Sequence, residues 1–302
     1  MSRYATPVAF KAALEDRLRS AAQHSGDQNR LRMRLIMDRF AARLLQEYGD
    51  AVVLKGGLVL ELRLANARAT KDIDLHLRGK PADTLLRFQR AGRLDLGDHL
   101  LFEIATDARH PTIDAEGMRY QGLRFRAQGR LAGKVYGEPF GVDAAFSEPM
   151  AGVPELVEGS DFLAFASIPP PRFPVYPLET HIAEKVHAYT MPRPRPNSRV
   201  KDLPDLALLA MVREVEADLL RIALSQTFGH RAVHLVPAKL PPPDEAWRVP
   251  YARLAQRDRL VWPDLDAVFA ASSMFLDPVL AGHSGRWDPA AWAWRVGSVS
   301  NT

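Results

Sequence analysis

The chain of 302 residues contains no cysteine. That excludes disulfide scaffolds, iron–sulfur clusters, thiol nucleophiles and cysteine-based zinc sites. No apolar run approaches the roughly 18 residues a membrane helix needs. The first residues, Met1-Ser2-Arg3-Tyr4, lack the apolar stretch of a signal peptide. These absences predict a cytoplasmic protein with no membrane partner. There is no internal repeat and no low-complexity tract. The nine histidines show no metal-ligand spacing: His181 and His187 are six apart and do not share a helix face. No Ser–His–Asp pattern is present.

What is there suits a soluble globular chain: 47% hydrophobic and 25% charged residues. A chain this long can bury a sizeable core, and at about 150 residues per domain it holds one large domain or two. Net charge is +4, unevenly spread. Residues 1–150 hold 24 Lys/Arg against 19 Asp/Glu, and residues 151–302 hold 16 against 17. Arginine supplies 32 of the 40 basic residues, which coding bias alone can produce, so the charge points only weakly to a polyanion partner.

Two proline-rich stretches, 169–177 and 237–250, predict extended connections. The first sets an expected boundary between a domain of residues 1–165 and one of residues 166–302. The N-terminal half mixes elements. Thr6-Pro7 reads as a helix cap and first position, with Phe10, Leu14 and Leu18 following at helical spacing. A second helix is expected over about 29–48, stopped by Gly49. A short strand at 51–54 runs into Lys55-Gly56-Gly57 and a helix at 58–64. Strands are predicted at 71–77, 100–106, 123–128, 131–136 and 140–146, with a helix at about 82–89. The C-terminal half reads as helices at 178–190, 203–215, 217–224 and 265–280.

The informative segment is Lys55-Gly56-Gly57 followed by Asp72-Ile73-Asp74. Alternate residues of a strand share a face, so Asp72 and Asp74 point one way while Ile73 and Leu75 enter the core. Two carboxylates this close repel unless a cation neutralises them. Oxygen ligands suit Mg2+ or Mn2+, held jointly with substrate phosphates. The glycine pair precedes a short helix, where bare N–H groups and the helix N-terminus favour a phosphate. A lone D-x-D or a lone Gly-Gly is weak. The ordered string of strand, Gly-Gly, helix and D-h-D strand is specific for a metal–triphosphate site.

That string resembles the nucleotidyltransferase superfamily. The fuller run, Leu54-Lys55-Gly56-Gly57 with Arg68-Ala69-Thr70-Lys71-Asp72-Ile73-Asp74-Leu75, resembles the AbiEii/AbiGii toxins, the nucleotidyltransferase-like members of AbiE-type toxin–antitoxin systems. Leu58 stands where many members carry Thr or Ser. The resemblance implies an α/β fold, a nucleotidyltransferase-like mixed sheet with helices followed by a mostly helical C-terminal domain. It also implies a third carboxylate from a neighbouring strand, for which Asp143 in Gly141-Val142-Asp143-Ala144 is the matching residue.

A second block extends the likeness: Ala183-Glu184-Lys185-Val186 with Arg199-Val200-Lys201-Asp202-Leu203-Pro204-Asp205-Leu206. Alone, Lys185 reads as a lysine whose stem covers apolar surface. Matched to the family, it is expected to reach the triphosphate. Asp202 is expected to cap a helix and pair with a base, and Asp205 to face the cleft. The resemblance thus implies catalytic roles for Asp72, Asp74, Lys185 and Asp205. It implies metal ligation by Asp72, Asp74 and Asp143, and nucleotide contacts from Lys55, Gly56, Gly57, Arg68, Thr70, Lys201 and Asp202. Between Lys185 and Lys201 stand Arg193, Arg195 and Arg199 with no acid, a loop suited to triphosphate or RNA phosphates. The C-terminal region, from His234-Leu235-Val236-Pro237 to Phe275-Leu276-Asp277-Pro278, carries the likeness on. Its tryptophans, Trp247, Trp262, Trp287, Trp292 and Trp294, read as core.

The expected activity is transfer of a nucleoside monophosphate from an NTP with Mg2+ or Mn2+. The favoured acceptor is the 3′ end of tRNA or another RNA; a protein or a small molecule is the alternative. A cognate antitoxin is an expected partner. Two other classes stay open at this point: a D-x-D glycosyltransferase, which needs neither the glycine pair nor the Lys185 block, and a non-catalytic nucleotide- or partner-binding protein.

Overall fold

A computed structural model describes residues 4–25, 27–65, 67–113, 122–146, 148–193 and 199–295. Helices α1 (Pro7–Ser25) and α2 (Gln28–Tyr48) lead to strand β1 (Val52–Lys55), helix α3 (Gly56–Arg63), strand β2 (Asp72–Leu77) and helix α4 (Thr84–Gly92). Strands β3 (Leu100–Thr106), β4 (Gly122–Leu131), β5 (Lys134–Val135), β6 (Phe140–Phe146), β7 (Glu155–Glu158) and β8 (Arg172–Val175) follow. The C-terminal part comprises helices α5 (Leu178–Thr190) and α6 (Asp202–Ala210), strand β9 (Val215–Glu216), helices α7 (Ala217–Arg231), α8 (Arg248–Asp258) and α9 (Leu265–Leu280), and strands β10 (Arg286–Asp288) and β11 (Ala293–Arg295).

The main sheet has the order β3-β4-β6-β2-β1-β8-β7, with β5 hairpinned onto β4. It is mixed: β2 runs parallel to β6 and antiparallel to β1, while β1 and β8 are parallel. Helices α1, α2 and α4 cover it. Phe10, Phe40 and Phe88 pack with Ile73, Leu75, Phe102 and Phe140 in one core, the face that strand alternation assigns to Ile73 and Leu75. Asp27 opens α2 by accepting from the Arg30 N–H. A second core gathers Leu178, Ile182, Leu206, Leu220, Tyr251, Phe275 and Trp287. Helix α3 joins the two, with Leu58 and Val59 in the first and Leu60 in the second. Trp247 and Trp287 are buried in that second core, and Trp262, Trp292 and Trp294 pack against it.

Several boundaries differ from the sequence pattern. The expected strands at 123–128 and 131–136 are one ten-residue strand and a two-residue return, because Ala132 and Gly133 both take positive φ and reverse the chain. The helix expected over 203–215 ends at Ala210, since Val215 pairs with Trp287 in a small sheet of β9, β10 and β11. Helix α7 runs on to Arg231, with Thr227, Phe228 and Arg231 buried along its face. The proline run does not end the first unit at 165. Strand β8 lies inside the main sheet, and Phe173 and Val175 belong to the first core. Pro174 is tolerated there because β1 pairs with β8 only at Leu54–Val175. The packing changes core at Leu178.

Candidate active site

Sheet register builds the floor of the site. Lys55 on β1 pairs with Asp74 on β2, Asp74 with Asp143 on β6, and Asp143 with Arg124 on β4. Directly paired residues point to one side of a sheet, so four strands present the row Lys55, Asp74, Asp143, Arg124. Asp72, two residues before Asp74, shares its face. Arg124 holds Asp143 by two hydrogen bonds, at 2.8 and 2.7 Å.

The turn from β1 into α3 presses against this floor. Gly56 has φ +69°, and a Cβ there would overlap the Asp74 carboxylate. A Cβ on Gly57 would stand 2.6 Å from the Thr70 hydroxyl. The Thr70 N–H donates to Glu61 at 2.6 Å, which ties the loop before β2 to α3. Gly56 is therefore where the turn backbone comes against the Asp74 carboxylate, and Gly57 where it comes against the Thr70 hydroxyl.

Helices α5 and α6 roof the cleft. Lys185 Nζ lies 2.9 Å from Asp202 and 2.7 Å from Asp205. Burial opposes its charge, but the two aspartates outweigh that and raise its pKa. Arg68 donates twice to Asp205, at 2.6 and 2.7 Å. Burial would raise the Asp205 pKa, yet Arg68 and Lys185 hold it down to about 2. Asp202 pairs with bases, as expected, but the two aspartates differ from expectation in which of them lines the cleft. Asp202 makes no capping bond; its carboxylate lines the cleft with Lys185 and Arg199. Asp205, one turn further in and 0% exposed, lies beneath it, where Arg68 enters.

Lys55 does not project freely toward a ligand. Its ammonium is paired with Glu148 and, at 2.9 Å, with Glu184, and Arg231 joins both glutamates at 3.1 and 2.9 Å. Burial works to raise the Glu148 pKa, but Lys55 and Arg231 hold it below the usual range. Glu148, Glu184, Arg231 and Arg124 were not singled out from sequence. Only Glu184 stood in a motif, the Ala-Glu-Lys run; the other three become site residues by fold alone. Arg193, Arg199 and Lys201 reach the mouth of the site, whereas Arg195 lies outside the described residues.

Two cavities meet here, of about 300 and 280 Å³. Both are lined by Asp74, Lys185, Arg199 and Asp202. The first adds Lys55, Gly56, Arg124, Asp143 and apolar Ile113, Ala145 and Met191; the second adds Gly57, Arg68, Thr70, Lys71, Asp72 and Lys201. A larger cavity of about 820 Å³ lies between α7 and the end of α9, but its lining carries no carboxylate. The chemistry belongs to the smaller pair.

Asp72 and Asp74 fit a hard divalent cation. Burial, and next the charge of Asp143, raise the Asp74 pKa to about 6 against the pull of Lys55 and Lys185. A cation relieves such carboxylate crowding. Among the described residues no group of three His, Asp or Glu side chains is arranged as a metal cage. With Asp143 held by Arg124, the two carboxylates of β2 are the ones left to offer to such an ion. That number suits an ion that completes its shell with water and phosphate.

A family model described as nucleotidyl transferase AbiEii toxin, type IV toxin–antitoxin system, matches residues 39–271. The solved structure of the nucleotidyltransferase toxin MenT4 from Mycobacterium tuberculosis is similar in fold. It has a TM-score of 0.59 and 19% identity, covering 92% of this chain and 93% of that one. JHP933 from Helicobacter pylori is similar at a TM-score of 0.41 and 16% identity, covering 67% of this chain and 79% of that one. No curated protein matches in sequence.

Proposed function

The chain belongs to the AbiEii family of nucleotidyltransferase toxins, and from that premise we propose that it transfers a nucleoside monophosphate from an NTP to the 3′ end of an RNA, foremost a tRNA. Family membership sets aside the glycosyltransferase and non-catalytic readings, and carries an NTP substrate and an antitoxin partner with it. The acceptor, the metal and the residue roles are the proposal. The observation that carries it is the meeting of Asp72 and Asp74 with the Gly56–Gly57 turn and Lys185 across one cleft.

The roles follow from that geometry. Asp72 and Asp74, with Asp143 on the neighbouring strand, are the residues that would hold Mg2+ or Mn2+, whose chemistry there would be polarisation of the reacting phosphoryl oxygen. Gly56 and Gly57 let the backbone approach the phosphates, and Thr70, Lys71 and Lys201 line the cavity beside Asp72. Lys185 is a fixed positive charge facing the reacting phosphorus. Asp202 aims it from the cleft side. Arg68 and Asp205 anchor it from below and act as positioning residues. Lys55 contributes charge only when a phosphate competes with Glu148 and Glu184.

The RNA acceptor rests on Arg193, Arg199 and Lys201 at the cleft mouth, which attract a phosphate chain. No described helix is long and apolar enough to cross a membrane, and we place the activity in the cytoplasm, where NTP and tRNA meet.

The test combines purified protein, each labelled NTP and total cellular RNA, with Asp72→Asn as control. Label is expected at RNA 3′ ends, visible by end sequencing. Induced expression is expected to arrest growth, relieved by Asp72→Asn at equal protein level. Arrest with unmodified RNA ends moves the acceptor to a protein or a small molecule, and arrest that persists in Asp72→Asn refutes transfer at this site as its cause.

A further inference from the structure

His181 stands on α5 one turn before Lys185, and the two side chains share a helix face. His181, Glu184, Lys185 and Ala188 together line the cavity that holds Asp74 and Asp143. The imidazole is 1% exposed, and neither ring nitrogen has a hydrogen-bond partner among the described residues. Buried polar groups are almost always paired, and an unpaired one lowers stability. Nothing in the packing explains a histidine rather than a leucine at this position. Lys185 on its own helix, Arg63 on α3 and Lys55 on β1 act on it as cations and Asp205 on α6 as a carboxylate, and Asp74, Asp143, Glu184 and Asp202 line the same cavity. Burial and the nearby cations keep a proton off the ring.

We propose that His181 is a nucleotide-binding residue whose neutral imidazole donates its N–H to a phosphate oxygen of the substrate seated beside Lys185. This deepens the reading of the site as an NTP cleft and rests on it. A neutral ring is the fitting group here. It adds a directional donor where another full positive charge would sit unpaired among lysines and arginines. Burial, followed by Lys185 and Arg63, keeps the ring well below its ordinary pKa, so the unliganded protein holds it uncharged.

The experiment compares wild type, His181→Leu and His181→Gln by calorimetric titration with each of the four NTPs and with inorganic tripolyphosphate, magnesium present throughout, and by the thermal midpoint of each unliganded protein. Leucine removes both unpaired nitrogens at similar volume. His181→Leu is expected to weaken both NTP and tripolyphosphate binding by about fivefold or more, with a thermal midpoint at or above wild type. His181→Gln keeps an N–H donor and is expected to stay within about twofold of wild type. Unchanged affinity in His181→Leu overturns the proposal. So does a collapsed thermal midpoint, which makes the ring a core group. A loss for NTP but not for tripolyphosphate moves the contact to the nucleoside and overturns the phosphate assignment. If wild type binds none of the four NTPs, the site reading falls first and takes this assignment with it.

Discussion

Replacing Asp205 by Asn is expected to be among the most damaging single changes near the cleft, although Asp205 touches no solvent. The carboxylate is 0% exposed and answers two cations, with Arg68 at 2.6 and 2.7 Å and Lys185 at 2.7 Å. Asparagine keeps the volume, removes the charge and turns an N–H2 group toward donors. Lowering the carboxyl pKa from 3.8 to about 2 corresponds to roughly 2–3 kcal/mol. Leaving buried Arg68 without its carboxylate, while Lys185 keeps only Asp202, brings the expected loss to about 3–5 kcal/mol. In a thermal melt that is a fall on the order of 10 °C. The sign with pH is fixed by the depressed pKa. The stabilisation is fully present above the unfolded value near 3.8 and disappears only as pH falls through about 2. The gap between wild type and Asp205→Asn is therefore expected to stay constant from pH 8 to pH 5. The double change Arg68→Met with Asp205→Leu is expected to recover much of the loss, because it removes the charges together. A variant that melts with wild type, or a gap that closes between pH 8 and 5, refutes the buried-triad argument.

Asp74→Asn is expected to stabilise metal-free protein by up to roughly 3 kcal/mol and so raise its melting temperature. Its folded pKa is raised to about 6, so the gain is complete above pH 6 and vanishes near pH 4; a melt series across that range checks it, and transfer activity should be lost. Gly56→Ala forces a side chain onto the Asp74 carboxylate at φ +69°; soluble protein with wild-type transfer rates would contradict that contact. Lys185→Met is expected to slow transfer by about 10²–10³-fold and to lower the melting temperature less than Asp205→Asn, because Asp205 keeps Arg68; steady-state rates and melts on the same preparations decide both halves.

Local chemistry made the heart of the site readable from the chain. The two-residue period of β2 puts Asp72 and Asp74 on one face with Ile73 and Leu75 opposite, whatever the strand's neighbours are. A glycine pair between a strand and a short helix signals a close backbone approach for the same reason. The strand at 100–106 was legible from its alternation and the strand at 140–146 from a short apolar run, as were the helices at 178–190 and 265–280 from their apolar spacing. The three-stranded sheet was not, since its strands are two or three residues long and β9 finds its partner β10 some seventy residues along the chain.

The tertiary structure decided which charges meet. Strand order cannot be read from a strand's own residues, and order and register together bring Lys55, Asp74, Asp143 and Arg124 into one row. Which of Asp202 and Asp205 lines the cleft depended on where Arg68 enters from a loop over a hundred residues away. The pairing of Lys55 with Glu148 and Glu184, and the arrival of Arg231 from α7, depended on how the helical part packs over the sheet. Side-chain periodicity is a property of neighbours in sequence, and so the sequence by itself settles it. Ion pairing in a buried cleft is a property of neighbours in space, set by the packing of two cores against each other.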